Sequence, residues 1–128
     1  MLFRSLILDD EPDIVEMVKL AMEALGGYQV ATCLTSEDAR QALLAGPVDL
    51  AIIDLNLEKE NGLQFLQWFR RDHPAVPVAI LTGLDPEAVQ PKLAELRVLE
   101  IIAKPLTIPQ IQQRIQAIVA KFPKPGRR

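Results

Sequence analysis

The sequence is poor in cysteine and histidine, and this excludes several kinds of site. It contains one cysteine, Cys33, and one histidine, His73. A single cysteine cannot form an internal disulfide bond, and its isolation favours a reducing compartment. A single histidine provides neither the ligand spacing of a zinc site nor a catalytic triad. We therefore expect the chemistry of this protein to come from other residue types.

Long hydrophobic runs and an excess of positive charge are also missing. No apolar run approaches the roughly 20 residues that span a bilayer. The N-terminal stretch MLFRSLILDDEP reaches acidic residues where the apolar segment of a signal peptide would continue. The formal net charge is −3, so the whole chain offers no electrostatic footprint for nucleic acid. We expect a soluble cytoplasmic protein that contacts neither a membrane nor nucleic acid directly.

Length and composition favour one domain. The chain has 128 residues, of which 49% are hydrophobic, and this suits a single packed core. The one basic cluster is the C-terminal stretch KFPKPGRR. We expect residues 1–121 to form the domain and residues 122–128 to be a basic, proline-containing tail or the start of a linker.

Short apolar runs alternate with helical patterns along the chain. The apolar runs predict strands over residues 5–10, 28–34, 48–55, 76–82 and 98–104. Apolar residues at helical spacing predict helices over residues 13–25, 36–45, 63–69 and 108–122, with a fourth helix after the fourth strand. Thr35 or Ser36 is the expected cap of the second helix. Five strands alternating with five helices predict an α/β fold, a doubly wound parallel sheet covered on both faces.

The fourth helix is the least regular of the five. Asp85 and Pro86 are typical of a helix cap followed by proline in the first turn. Pro91 then falls where the interior should be, and an interior proline costs roughly 3 kcal/mol. We therefore expect this helix to be kinked, shortened or started late.

Polar and charged residues stand at four of the five predicted strand ends. Asp9 and Asp10 end the first strand, Asp54 the third, Thr82 the fourth and Lys104 the fifth. Because parallel strands end at one edge of the sheet, these side chains should converge there. Adjacent carboxylates repel one another and are costly to desolvate, so a cation is expected among them. Oxygen ligands favour a hard divalent ion such as Mg²⁺, and an aspartate beside it can be a nucleophile toward phosphorus.

Five stretches carry a resemblance to a known family. They are LILDDEPDI, DLAIIDLNL, NGLQFLQ, VAILTG and IIAKPLT, in this order. Together they resemble the receiver domain of two-component response regulators, the family of the chemotaxis receiver, over residues 2 to about 121. The resemblance implies a flavodoxin-like (βα)5 fold with strand order 2-1-3-4-5.

The resemblance also implies a role for each site residue. Asp54 would be the phosphoacceptor. Asp9, Asp10 and Asp54 would bind Mg²⁺, together with the backbone carbonyl of Asn56.

Around the phosphoryl group, Thr82 would bond to it and Lys104 would pair with its oxygens. Pro105 would follow Lys104, commonly through a cis peptide bond.

The implied partners are a histidine kinase or a phosphotransfer domain, and a downstream protein or an attached output domain. A homodimer through the face of helix 4, strand 5 and helix 5 is a further expectation. The domain would catalyse its own phosphorylation and slow dephosphorylation rather than act as a conventional enzyme.

Some positions depart from the family pattern. Ile101 stands where receivers usually carry an aromatic switch residue, so that switch should be absent or altered. Glu58 replaces a common proline, which makes the loop more acidic and should make it more mobile. Gly83 replaces a small residue, usually alanine, and should keep access to the site open. With Pro91, these changes predict intact phosphorylation chemistry and an unusual output.

Two other functions remain open from the sequence. One is a pseudo-receiver, an interaction module that is never phosphorylated, which the altered positions Ile101 and Glu58 would suit. The other is an aspartate-nucleophile phosphohydrolase. Phosphatases of the haloacid dehalogenase type have an acid two residues after the nucleophile, and here that residue is Asn56.

Overall fold

Five strands and five helices alternate along the chain in a computed structural model, which describes residues 2–104 and 107–121. The elements are β1 (Phe3–Leu8), α1 (Pro12–Glu23), β2 (Tyr28–Cys33), α2 (Ser36–Ala45), β3 (Leu50–Asp54), α3 (Gly62–Asp72), β4 (Val78–Thr82), α4 (Pro86–Leu93), β5 (Glu100–Ala103) and α5 (Ile108–Val119). All strand pairs are parallel, in the order β2-β1-β3-β4-β5. The predicted flavodoxin-like doubly wound sheet is therefore confirmed.

The core has two layers, one on each face of the sheet. Successive side chains of a strand point to opposite faces, so Ile7 packs in one layer while Leu6 and Leu8 pack in the other. The first layer includes the buried faces of α1 and α5, and the second those of α2, α3 and α4. Every residue of β3 and β4 is buried. This explains why their sequences are apolar up to the final residue, Asp54 or Thr82, rather than alternating.

Side-chain caps fix where the helices begin. Thr35 accepts a hydrogen bond from the backbone N–H of Asp38, so Thr35 is the cap of α2. Asn61 and Asp85 cap α3 and α4 in the same way, and Thr107 caps α5. These bonds satisfy backbone N–H groups that have no partner inside a helix.

Two helices differ in detail from their predicted form. The α4 helix has only eight residues, so the expectation of a shortened helix is confirmed. It begins at Pro86, directly after its cap Asp85, so the expectation of a late start is wrong. In α5 the buried face begins at Ile111, because Ile108 is 42% exposed. Phe122 and the basic tail, residues 122–128, lie outside the described residues. No helix among the described residues is long and apolar enough to cross a membrane.

A buried arginine joins α3 to the segment before β5. The guanidinium group of Arg70 donates hydrogen bonds to the backbone carbonyls of Val76 at 2.8 Å, Leu96 at 2.9 Å and Pro74 at 3.2 Å. Burial lowers the pKa of Arg70 from its ordinary value. The carbonyl groups compensate for the lost hydration of the cation, and they hold the chain that leads into β5.

Replacing Pro91 with alanine should stabilise the protein. Alanine restores the backbone N–H that an interior helical residue donates and removes the clash of the proline ring, so we expect a gain of about 1 kcal/mol or more. Urea unfolding at equilibrium measures the change. Pro86→Ala is the matched control, since proline in the first turn sacrifices no helical hydrogen bond and its replacement should bring no gain. A Pro91→Ala variant no more stable than the wild type would contradict the prediction.

Candidate functional site

Four carboxylates converge at the carboxyl edge of the sheet. Asp9 follows β1 directly and Asp54 is the last residue of β3, and both are fully buried. Asp10 and Glu11 continue the chain after Asp9. One oxygen from each of these four residues lies within 4.8 Å of the others. The convergence expected from the parallel strands is therefore present.

Lys104 provides a cation in the middle of this cluster. Its Nζ lies 2.7 Å from Asp9 Oδ2, 3.0 Å from Glu11 Oε1 and 3.1 Å from Asp54 Oδ2. The side chain is 14% exposed, as expected for a lysine that ends an apolar run. Burial by itself would lower the pKa of Lys104, but hydrogen bonds to the three carboxylates raise it above its ordinary value. The group is therefore a permanent ammonium ion.

For Asp9, burial affects the pKa more strongly than the contact with the opposite charge does. Burial raises the pKa of Asp9, the nearby charge of Asp54 adds to that increase, and the contact with Lys104 only partly offsets it. Its Oδ1 accepts a hydrogen bond from the backbone N–H of Glu11 at 3.0 Å. Its Oδ2 lies 2.7 Å from Lys104 Nζ, and this ion pair is the contact of Oδ2 among the described residues.

These residues fit a hard divalent cation. All four side chains offer carboxylate oxygens, which Mg²⁺ prefers, and the buried Oδ2 of Asp9 has the Lys104 ammonium group as its partner among the described residues. Among the residues that the structure describes, one ammonium group, that of Lys104, contacts this cluster of four carboxylates, so a second cation would relieve the repulsion that remains.

The loop between β3 and α3, residues 55–61, contributes backbone donors to two of the carboxylates. The N–H of Asn56 donates to Asp54 Oδ1 at 2.8 Å, and the N–H of Glu58 donates to Asp10 Oδ2 at 2.6 Å. These bonds orient both side chains. The sequence predicts a carbonyl ligand and mobility in this loop, and only the structure shows that these two N–H groups donate to carboxylates of the cluster.

The loop passes so close to the next helix that only glycine fits there. A Cβ atom on Gly62 would lie 2.6 Å from the carbonyl oxygen of Asp54 and 2.7 Å from the Cα of Leu55. Both atoms belong to the backbone and cannot move aside easily. Gly62 therefore allows α3 to begin directly against the end of β3.

Thr82 is buried at the end of β4, beside the acidic cluster in the sheet. Its hydroxyl oxygen accepts a hydrogen bond from the N–H of Leu84 at 3.0 Å, and its carbonyl accepts one from the N–H of Lys104 at 2.7 Å. The second bond fixes the start of the Lys104 side chain. Gly83 is exposed, and an added Cβ there would meet open space, so sterics do not require glycine at this position.

Three further positions singled out in the sequence are Ile101, Pro105 and Glu11. Ile101 lies in β5, partly buried against the second core layer. Pro105 lies outside the described residues. Glu11 is the N-cap residue of α1 without a side-chain cap hydrogen bond, and its exposed carboxylate contacts Lys104. Its position next to Asp9 and Asp10 was the signal for this role.

Comparison with known proteins identifies relatives along nearly the whole chain. The sequence model of the response regulator receiver domain matches residues 6–116. Transcriptional regulatory protein BasR of Escherichia coli K12 is 32% identical over 125 residues, which are 96% of this chain and 55% of BasR. The alkaline phosphatase synthesis transcriptional regulatory protein PhoP of Bacillus subtilis is 28% identical over 118 residues, 92% of this chain and 49% of PhoP. The chain thus spans about half the length of these two relatives.

Solved structures share the fold. A CheY-like receiver domain protein of Methanospirillum hungatei superposes with a TM-score of 0.84 at 21% identity, covering 94% of this chain and 96% of that one. Response regulator TrrA of Thermotoga maritima, crystallised in complex with Mg(2+)-BeF, gives 0.77 at 24% identity, covering 92% and 99%.

Neutralising Asp9 should stabilise the metal-free protein. Because the folded state raises the pKa of Asp9, it favours the protonated form, and the stability associated with that form is lost as the pH rises through the folded pKa. Asp9→Asn is neutral at every pH, and its Oδ1 can still accept from Glu11. We expect a higher thermal midpoint at pH 7 in EDTA, with the difference shrinking toward about pH 4.

Asp10→Asn is the control for Asp9→Asn, because Asp10 is only half-buried and its neutralisation should change the midpoint less. A lower midpoint for Asp9→Asn at pH 7 would show that the ion pair with Lys104 outweighs the cost of burial.

Gly62→Ala should destabilise the protein by about 1–3 kcal/mol, since the new methyl group collides with backbone atoms. Gly83→Ala places the same methyl group in open space and should change stability by less than about 0.5 kcal/mol. Urea unfolding of the two variants tests the pair. Equal stability of Gly62→Ala and the wild type would contradict the close approach at Asp54.

Proposed function

The chain belongs to the response regulator receiver domain family, and we propose that within it Asp54 accepts a phosphoryl group from a phosphohistidine donor. The observation that carries the proposal is the position of Asp54. Its carboxylate is buried among three other acids, and Asp54 Oδ2 lies 3.1 Å from the ammonium group of Lys104. A carboxylate held in this way is a directed nucleophile with a cation beside it.

The proposed step is a direct phosphoryl transfer. A carboxylate oxygen of Asp54 forms the new bond to phosphorus while the bond from phosphorus to the donor imidazole nitrogen breaks. The electron pair of that bond stays on the imidazole, which takes up a proton from solvent as it leaves. The product is an acyl phosphate on Asp54. Attack by water on its phosphorus breaks the bond to the Asp54 oxygen, which regenerates the carboxylate and releases inorganic phosphate.

Two residues of this chain support the transfer from the neighbouring strand ends. Lys104 keeps its positive charge and lies beside Asp54, so it can pair with oxygens of the incoming phosphoryl group. The hydroxyl of Thr82 accepts from Leu84, which leaves its own hydrogen available for donation to a phosphoryl oxygen.

Asp9, Asp10 and Asp54, with the backbone carbonyl of Asn56, would hold Mg²⁺. When bound, the ion supplies positive charge that neutralises phosphoryl oxygens during the transfer. Support comes from the all-oxygen donor set of this site. The TrrA structure, a relative in fold, is described as a complex with Mg(2+)-BeF. Asp9 and Asp10 would bind the ion, and Asp54 would both bind it and accept the phosphoryl group.

The proposed signal is a change in protein contacts. Residues 1–121 form the domain, and residues 122–128 are a tail or the start of a linker. A histidine kinase or phosphotransfer domain in the cytoplasm donates the phosphoryl group. A downstream protein or an output domain of the same protein responds to it. The half-length coverage of BasR and PhoP supports the attached form.

The response is proposed to pass through the face formed by α4, β5 and α5. A groove of about 350 Å³ lies between α4 and β5. Exposed Leu84, Leu99 and Ile108 flank or belong to these elements. Ile101, in the position of the usual aromatic switch, forms part of the groove wall, and Gly83 directly follows the end of β4. Apolar surface of this kind suits a protein partner or a second copy of the chain.

Intact mass after incubation with acetyl phosphate tests the proposal. We expect the wild type to gain one phosphoryl group only when Mg²⁺ is present, and Asp54→Asn to gain none. Asp85→Asn is the matched control, because asparagine also caps a helix and this residue lies outside the cluster. It should gain the group as the wild type does. No gain in the wild type under any condition would favour an unphosphorylated interaction module, and uptake by Asp54→Asn would refute the site.

A further inference from the structure

The β3–α3 loop, residues 55–61, is tied to the start of α2 by an acidic side chain. Glu60 Oε2 accepts a hydrogen bond from the backbone N–H of Ser36 at 2.9 Å, and Glu60 Oε1 accepts another from the Ser36 hydroxyl. Ser36 is the first residue of α2, so its N–H has no acceptor within the helix. The positive end of the helix dipole also favours a carboxylate there.

Arg40 extends this contact to α3. Its guanidinium donates to the Ser36 hydroxyl oxygen at 3.2 Å and lies 5.0 Å from the ring centre of Trp68 and 5.7 Å from that of Phe65. The Ser36 hydroxyl thus accepts from Arg40 and donates to Glu60. The loop is fastened to a helix that is itself held against α3.

The other end of the same short segment reaches the acidic cluster. The N–H of Glu58 donates to Asp10 Oδ2 at 2.6 Å. Only Lys59 separates Glu58 from Glu60, so a displacement of Glu60 moves the donor that orients Asp10. Asn56, whose N–H donates to Asp54 Oδ1, lies two residues before Glu58.

We propose that Glu60 is a positioning residue for the metal: by binding Ser36 it holds the β3–α3 loop so that Asp10 and the Asn56 carbonyl are set for Mg²⁺. This inference rests on the proposed function, because it concerns the affinity of that site. It assigns a purpose to a loop in which Glu58 replaces the proline common in receivers. The contact at Glu60 supplies the restraint that the proline would otherwise give to the backbone.

Control variants distinguish the effect of the Glu60 charge on Mg²⁺ binding from the effect of its hydrogen bonds to Ser36. Glu58 is the control, since it lies in the same loop and carries the same charge. Its side chain makes no hydrogen bond or ion pair among the described residues. Glu58→Ala removes a charge and keeps the backbone N–H that binds Asp10. Glu60→Gln removes a charge and keeps an oxygen that can accept from Ser36.

Calorimetric titration with MgCl₂ measures the effect on binding. We expect Glu60→Ala to weaken Mg²⁺ binding roughly tenfold, the size of effect seen when outer partners of metal ligands are removed. Glu60→Gln and Glu58→Ala should remain within about twofold of the wild type on that scale. The rate of phosphorylation by acetyl phosphate should fall for Glu60→Ala at low Mg²⁺ and recover at saturating Mg²⁺, because the restraint acts on metal binding.

A second variant removes the contact from the other side. Ser36→Pro removes both groups that donate hydrogen bonds to Glu60, the backbone N–H and the hydroxyl. It does so at the first position of a helix, where proline is favoured. Thr35, the preceding residue, has φ −135° and ψ 161°, which is the extended conformation that a following proline requires. We expect Ser36→Pro to weaken Mg²⁺ binding as Glu60→Ala does while α2 persists.

Amide hydrogen exchange in EDTA gives a readout without metal or activity. The N–H of Glu58 should exchange faster in Glu60→Ala and Ser36→Pro than in the wild type. The N–H of Leu66, in the buried face of α3, should be unchanged and so exclude global destabilisation.

Wild-type Mg²⁺ affinity in both Glu60→Ala and Ser36→Pro would overturn this inference and leave the proposed function intact. A loss in Glu58→Ala equal to that in Glu60→Ala would also overturn it, in favour of charge alone. A wild type that neither binds Mg²⁺ nor takes up phosphate would instead refute the proposed function, and this inference with it.

Discussion

The ammonium group of Lys104 contacts one oxygen each of Asp9, Glu11 and Asp54, and the arrangement of the site depends on these contacts. Two of the three acids are fully buried, so their repulsion would be severe without a cation. Buried ion pairs seldom add net stability, because desolvation offsets their attraction. The raised pKa of Asp9 shows that desolvation outweighs attraction for this carboxylate. The cluster is best explained by its chemistry, since a core of apolar residues would be the more stable alternative.

The sheet holds Lys104 in place through backbone register. The Lys104 N–H binds the Thr82 carbonyl, and this bond continues the pairing of β5 with β4. Arg70 donates to the Leu96 carbonyl in the segment that enters β5, the strand that Lys104 follows. Two features of the fold thus determine the geometry of the acidic edge. The parallel strands deliver the residues, and contacts made by the connecting loops fix their orientation.

The alternation of apolar runs and helical patterns was sufficient to predict the class of fold and the residues that meet at one edge. Asp9, Asp10, Asp54, Thr82 and Lys104 could be found because parallel strands end together. The short α4 was also foreseeable, since Pro91 stands inside it and proline opposes helix continuation. The exposure of Ile108 could not be predicted, because the apolar residues of α5 keep the same regular spacing at Ile108, in the first turn, as in the buried part of the helix.

The sequence by itself determined which side chains form the acidic edge, because strand order along the chain and the parallel sheet leave them one place to converge. Only the tertiary structure decided how they are held. The pairing of Glu60 with Ser36 and the donor from Glu58 to Asp10 join segments distant in sequence. The close passage at Gly62 brings the two ends of one loop together. Local pattern carries no information on such contacts, since they depend on how the backbone of each loop is positioned in the folded protein. The sequence shows that Glu11 stands next to Asp9 and Asp10. Only the pairing of β5 with β4 shows that its partner is Lys104.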